Sequence, residues 1–305
     1  MNDELYGRVC YLRVYQPITT QITDADGGIG ILINGYETNY QEYRSEQLDG
    51  SPGFRIRFNC QKTLSLSPNH GTISIYNLNQ DSRDRFSKRM NLVELYAGYG
   101  ANAKLIFKGN LARGRTVKVG SDYITNVEVQ DGLYANQFSR IDQSYNPGIQ
   151  KNAVIKDMTT AVAALPGMSM GEVRTLNNDG YNFGLVLSGG AMDKLKEVCD
   201  GENLYFFIED HKVYVIPVGE AKSTPPVKLS PNTGLVGIPE RGNDKMTLKC
   251  LLNPELTLAQ RIILTSKFVN GIFLTSTVTN VGDTFGAEWY SNIDCAYPGS
   301  DEAAF

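Results

Sequence analysis

Apolar and polar residues alternate one for one along several short stretches of this chain, the pattern of strands with one face buried and the other wet. Phe54-Arg-Ile-Arg-Phe58 and Thr72-Ile-Ser-Ile-Tyr76 are the clearest, and the Pro68-Asn-His-Gly71 turn between them predicts a hairpin. Val9 to Tyr15 reads as an earlier strand closed by Pro17, which has no N–H to give to a ladder. Thr19 to Gly53 is rich in Gly, Asp, Asn, Gln and Tyr, with Ile29 to Ile33 its one strand-like piece, and reads as a long excursion. Asn77 or Asn79 can cap a short helix through Asp81 to Phe86. Strands are then expected at 93–97, 103–109, 116–119 and 123–129, ending at the turn dipeptide Asp131-Gly132. Seven short strands and one small helix make a self-contained barrel or sandwich.

The periodicity then changes. Ile155, Met158, Val162 and Leu165 predict an amphipathic helix within 149–165, stopped by Pro166-Gly167. Met192, Leu195 and Val198 predict a second, closed by Asp200-Gly201. Leu204 to Ile208 and Lys212 to Ile216 flank a Glu-Asp-His turn as a hairpin, and Lys222-Ser-Thr-Pro-Pro226 reads as a linker. Strand-like segments resume at 227–229, 245–252, 261–266, 271–281 and 288–296, and 301–305 should fray. The fold class expected is α+β and mainly β. An N-terminal β unit over 1–132 carries the 19–53 excursion, a mixed α/β insert of one or two small subdomains spans 133–221, and a C-terminal β unit covers 227–300. The two β units also echo each other. Ile106-Phe107 followed by Gly120 and Tyr123 parallels Ile272-Phe273 followed by Gly286 and Tyr290, with Phe-to-Tyr spacings of 16 and 17.

Composition narrows the function classes. At 305 residues, 41% hydrophobic and 20% charged, the chain can bury more than one core and is not wholesale disordered. A formal charge of −4 gives no basic footprint for gripping nucleic acid specifically. An acidic N-terminus and short apolar runs argue against a signal peptide or a membrane anchor. The five cysteines are scattered, with no pair at metal or redox spacing, and read as buried free thiols.

Candidate chemistry is sparse. His70 and His211 sit in predicted turns with no second ligand at metal spacing. Leu187-Ser188-Gly189-Gly190 has Val186 where a nucleophile elbow needs glycine. Gly27-Gly28-Ile29-Gly30 lacks the third glycine and the following helix of a phosphate loop, and Asp24-Ala-Asp-Gly-Gly starts a calcium loop that later positions do not complete. Glu209 with Asp210, and Asp283 with Glu288, are carboxylate pairs at turns, where solvated acids are ordinary. Tyr36, Tyr40 and Tyr43 are more simply a sheet surface than a sugar platform. No catalytic, cofactor-binding or metal-ligating residue is assigned, no cofactor is expected, and the chain is read as a non-enzyme.

In the C-terminal quarter, Gly234-Leu-Val-Gly-Ile-Pro239, Leu251-Leu-Asn-Pro254 and Gly282-Asp-Thr-Phe-Gly-Ala-Glu-Trp-Tyr290 resemble the signature of baseplate (tail) hub proteins of contractile-tailed bacteriophages. Earlier blocks look like the same family in the same order: Phe54–Phe58, Thr72–Leu78, Leu95–Tyr99, Ile106–Gly109 and Val129–Gly132. The resemblance covers about Phe54 to Ala296. It implies two tube-like β-barrel domains bracketing the insert, and a homotrimer whose six similar units adapt a six-fold tail tube to a three-fold central spike around a channel for DNA. The implied partners are the tail tube and central spike proteins, with tape-measure and baseplate wedge proteins as further candidates. The implied location is the virion baseplate, assembled in the host cytoplasm. A secretion-system or bacteriocin hub is the alternative, and a tail-associated cell-wall hydrolase a third reading. If the duplication is real, 54–131 should superpose on 228–297, with Phe107 on Phe273, Tyr123 on Tyr290 and Trp289 buried.

Overall fold

The structure, a computed structural model, describes residues 7–23, 29–46, 50–64, 68–175, 179–242 and 245–297. The Asp24 calcium-like start, the first glycines of the Gly27–Gly30 loop and the 301–305 tail lie outside these residues. Strand β1 (Arg8–Thr23) and strand β2 (Ile29–Arg44) form one long antiparallel hairpin, so most of the expected excursion is ordered sheet. Pro17 does not end β1. From Arg8 to Tyr15 that strand is also flanked by another, but beyond Tyr15 it has β2 alone, and the register shifts between Tyr15 and Pro17. The proline thus sits at an irregularity in a two-stranded arm, where its missing N–H breaks no second ladder.

Strands β3 (Ile56–Thr63) and β4 (His70–Tyr76) make the expected hairpin. Helix α1 (Gln80–Ser87) is capped by Asn79, whose side chain accepts from the Ser82 amide at 2.9 Å, while Asn77 instead adopts a positive φ. β5 (Leu92–Tyr99), β6 (Lys104–Val119) and β7 (Asp122–Gln130) follow. The two strands expected at 103–109 and 116–119 are one. A register shift between Leu111 and Arg113 bends β6 without ending it. Gly114 permits close packing there, since a Cβ would fall 1.8 Å from the Phe86 carbonyl oxygen of α1.

The next segment contains α2 (Leu133–Phe138), β8 (Arg140–Tyr145), α3 (Lys151–Ala163), β9 (Ser169–Val173), β10 (Leu185–Gly190), α4 (Ala191–Gly201), β11 (Leu204–Glu209) and β12 (Lys212–Pro217). Its strands form a β8–β10 pair and a β11-β12-β9 sheet. Its helices bury Val154, Ile155, Met158, Val162, Leu195 and Val198, the stripe that the 3.6-residue period predicts.

The last segment adds β13 (Val227–Leu229), β14 (Glu240–Arg241), β15 (Lys245–Leu251), β16 (Arg261–Thr265), β17 (Asn270–Asp283) and β18 (Trp289–Ala296). Among the described residues, thirteen strands join in one sheet, in the order β14-β15-β18-β17-β3-β4-β7-β6-β5-β1-β2, with β16 on β17 and β13 on β16. Where two barrels were expected, the pairing path is open at both ends, and β3 joins β17 from Arg57–Asp283 to Thr63–Thr277. The molecule is mainly β with few helices, and its described residues form three cores: one around Leu12, Phe58, Phe107 and Trp289, one around Leu248, Leu258 and Ile293, and one in the α/β segment around Ile155 and Leu195.

One strand order occurs twice. The path β3-β4-β7-β6-β5-β1 recurs as β14-β15-β18-β17-β16-β13, with the strands in the same chain order. The register agrees in detail. Leu111 of β6 bonds to Met90 and Asn91, and Thr275 of β17 bonds likewise to Ala259 and Gln260. The β6–β7 ladder shifts just after Leu111, and the β17–β18 ladder just after Thr275. One pairing differs: β13 runs parallel to β16, whereas β1 runs antiparallel to β5. Register equates Tyr123, opposite Lys118, with Trp289, opposite Gly282, and so places Tyr290 one residue from the expected match. Counting back from Leu111 and Thr275, Phe107 matches Gly271 rather than Phe273. Matching aromatics by spacing missed that the β17–β18 connection is longer than the two-residue β6–β7 turn. Trp289 is buried at 1% exposure.

Candidate functional site

One face of the large sheet is polar across both repeats. Alternation in β3 buries Ile56, Phe58 and Cys60 and turns Arg57, Asn59 and Gln61 outward. Register carries that outward face over β4, β7 and β6 through the opposed positions Asn59–Thr72, Thr72–Glu128 and Glu128–Arg113. It continues across the β3–β17 seam through Gln61–Thr279 to Asn292 and Lys249. Ser74 donates to Asn126 at 2.7 Å, and Thr247 and Lys245 bond Asp294 at 2.8 and 3.2 Å. The face thus carries hydroxyls, amides and charges of both signs.

Behind it, the tip of the β11–β12 hairpin enters the sheet. Asp210 and His211 both have positive φ, as a two-residue hairpin turn of this hand demands. That turn presents three side chains to a buried ionic cluster. Lys62 of β3, 2% exposed, bonds Asp210 at 2.6 Å and lies 3.8 Å from Glu209. Glu209 also pairs with Lys222 and accepts the Leu258 amide at 2.9 Å. Asp210 accepts the Lys108 amide at 3.1 Å. Asp131 accepts the His211 amide at 2.9 Å, and His211 Nδ1 meets the Gly167 carbonyl at 3.2 Å. Burial disfavours the Lys62 cation, but the Asp210 and Glu209 charges outweigh it and hold its pKa at about 12. Burial and the Asp210 charge push the Asp131 carboxyl up to about 8. Burial and the Lys108 charge hold His211 down at about 3, a neutral imidazole. Two cations face two carboxylates, which makes this an interlock between segments.

The singled-out residues disperse. His70 is exposed on β4 while His211 is buried, so the two are not one site and His211 is not the solvated turn residue expected. Glu209 is likewise 2% exposed rather than solvated. Asp283 is buried and clamped. Burial opposes its charge, but Arg55 at 2.6 and 3.1 Å and the Phe285 amide at 3.0 Å hold its carboxyl below the usual value. Glu288 is exposed, and Ser188 lies on β10. Tyr43 is buried against Phe86, Tyr36 accepts from Asn110 at 2.6 Å, and Tyr40 lies against Arg13, so the three form no common platform. The five cysteines are free and buried, as expected. Among the described residues no group of three or more His, Cys, Asp or Glu could hold a metal, and no helix is long and apolar enough to cross a membrane. The expected linker is fastened: the Lys222 amide donates to Ala259 at 2.7 Å, Ser223 bonds Glu172, and Pro225 accepts from Gln260. Sequence reasoning passed over the ionic cluster although a signal existed. The alternation Ile56, Phe58, Cys60 puts Lys62 on the apolar face, and Val127, Val129 does the same for Asp131.

Known proteins share this architecture. The tail protein from Neisseria meningitidis MC58 superposes with a TM-score of 0.63 at 10% identity, over 96% of this chain and 98% of that one. The 43 kDa tail protein of prophage MuSo2 from Shewanella oneidensis gives 0.61 at 8% identity, over 98% and 100%. An E. coli component of the type VI secretion system, described as structurally similar to the T4 bacteriophage tail proteins gp27 and gp5, gives 0.59 at 9% identity, over 82% and 75%. At these identities the likeness is one of fold. No curated protein matches by sequence. The family described as Baseplate hub gp41 matches residues 42–279, most of the chain, and the chain belongs to that baseplate hub family.

Proposed function

We propose that this structural hub protein acts as a homotrimer that adapts a six-fold tail tube to a three-fold central spike and forms part of the channel for DNA. The observation that carries this reading is the strand order repeated within one chain, β3-β4-β7-β6-β5-β1 and β14-β15-β18-β17-β16-β13. Two similar units per chain turn three-fold symmetry into six quasi-equivalent positions. On this reading 1–132 and 227–300 are the tube-like domains and 133–221 packs outside the ring. The polar sheet face, with Arg57, Arg113 and Lys249 set among Asn, Thr and acidic residues, suits a wall past which DNA slides without being gripped. No catalytic role is assigned. Light scattering at micromolar concentration, alone and with tube protein, tests the assembly. A trimer is expected, and a monomer under both conditions overturns it. The likeness to a type VI secretion component favours, as a second reading, the same hub in a related injection machine. Capsid and terminase genes beside this one would decide for a phage. Clearing of peptidoglycan in a zymogram would overturn the non-enzymatic assignment.

A further inference from the structure

The repeated topology leaves one strand edge covered in one repeat and bare in the other. In the second repeat, β17 has two neighbours on one side: β16 along Asn270–Leu274 and β3 along Thr277–Asp283. In the first repeat, β6 has β5 along Lys104–Asn110 on that side, but among the described residues Arg113–Val119 pair only with β7. Exposure follows. Asp283 is 5% exposed, whereas Val119, its equivalent by register, is 57% exposed. Helix α1 meets β6 at Gly114 in the Cβ direction, out of the plane of the sheet, so that contact does not occupy the hydrogen-bonding edge.

The chain also carries the strand that would cover it. Equivalent to β3 is the segment 235–241, which runs along β15 through Leu235–Cys250, Glu240–Thr247 and Arg241–Met246. Its outer edge is bare as well, with Ile238 at 65% exposure. A chain cannot bring its own 235–241 to its own β6, because the sheet path puts them far apart, with β15, β18, β17, β3, β4 and β7 between. A second copy can.

The geometry points to a strand-to-strand seam between copies, in which residues 235–241 of one copy add antiparallel to Arg113–Val119 of the next, one bond short at Pro239, which has no N–H to give. It repeats between molecules the β3–β17 seam that each molecule makes within itself. This rests on the homotrimer reading, and it names the surface and register of the contact. In the internal seam Val281 faces Asn59 and Asn280 faces Cys60. Transferring that register puts Val117 opposite Glu240 and Thr116 opposite Arg241, and sets Glu240 diagonally across from Arg115, within reach of an ion pair. The contact is head-to-tail, so it propagates around a ring until rotation closes it.

Cysteine cross-linking tests it. Directly opposed residues in an antiparallel pair lie about 4.5–5.5 Å apart at Cα, within disulfide range, and the native thiols are buried. Full-length Val117→Cys and Glu240→Cys are prepared separately, mixed and oxidised, with Thr116→Cys and Arg241→Cys as a second pair and Lys156→Cys on α3 mixed with Glu240→Cys as a control. Covalent dimers on a non-reducing gel are expected in both seam mixtures and not in the control. The doubly substituted Val117→Cys/Glu240→Cys chain should give a covalent trimer. A trimer by light scattering with no cross-link in either pair overturns the seam while leaving the trimer standing. Absence of both trimer and cross-link, with or without tube protein, overturns both.

Discussion

Removing either partner of the Glu209–Lys222 pair should destabilise the protein far more than a surface ion pair would, and removing both should restore much of the loss. Both side chains are nearly inaccessible, at 3% and 2% exposure. Each has already given up its hydration on folding, and the cluster is neutral only when Lys62 and Lys222 face Glu209 and Asp210 together. Lys222→Met removes the ammonium that lies 4.6 Å over the Tyr214 ring and leaves the buried Glu209 carboxylate without its nearest cation. Breaking a buried pair in this way costs about 3–5 kcal/mol. Glu209→Gln retains an acceptor for the Leu258 amide but strands the Lys222 ammonium, at a similar cost. In the double variant Lys62 still faces Asp210, the excess charge is gone, and the amide keeps its bond. Its loss should be about 1–3 kcal/mol, because replacing a whole buried pair is often near neutral.

The assay is thermal or urea unfolding of the four proteins at one pH and concentration. At about 2 °C per kcal/mol for a chain of this size, each single variant should melt roughly 6–10 °C lower and the double no more than about 6 °C lower. Two results would refute the reasoning. A Lys222→Met cost below about 1 kcal/mol would mean that the pair behaves as if solvated. A double-variant loss equal to the sum of the singles would mean that the groups do not interact.

Two further outcomes follow from the same interior. Asp131, titrating near 8 when folded against an ordinary value of 3.8, keeps a proton that the unfolded chain has lost, and His211, near 3 against 6.5, lacks one that the unfolded chain holds. Between about pH 4 and 6.5 the two effects cancel, and from 6.5 to 8 only Asp131 acts, so stability should fall as pH rises, by about 2 kcal/mol in all. Urea midpoints at pH 5, 6.5 and 8 check this: Asp131→Asn should flatten the upper limb, and an unchanged slope in that variant would sink the assignment. Trp289→Ala should cost about 3–5 kcal/mol, because the indole of β18 lies 5.4 Å edge-on to Phe58 and joins the first core across the β3–β17 seam. A urea-unfolding loss under about 1 kcal/mol would contradict that placement.

What the sequence disclosed and what it hid have separate physical causes. Strands β3, β4 and β7 were legible because each has one wet face, so alternation marks them directly. The arm of β1 and β2 was not, since beyond Tyr15 β1 has β2 alone and Ile18, Ile22, Ile31 and Leu32 stay exposed, so little buried face writes its period into the sequence. Helices α3 and α4 showed their stripes, and Pro166-Gly167 and Asp200-Gly201 showed their ends. The ionic cluster was hidden for a different reason. Glu-Asp-His at a hairpin tip has the composition of a solvated turn, and only the docking of that tip on β3 and β6 removes it from water. Local pattern reports whether a residue alternates with its neighbours, not what arrives later from 148 residues away, as Asp210 does at Lys62. A charge on an otherwise apolar face, as at Lys62, is the exception, because its cost must be met by a partner of opposite sign somewhere else in the chain. The duplication lies between these extremes. Aromatic spacing detected it, yet aligned it incorrectly, because a strand repeat is conserved in ladder register and bulge position, and an insertion in one turn moves every landmark beyond it. Register is therefore the quantity that equates β6 with β17, and it is register that makes the bare half of β6 visible as an edge awaiting a strand.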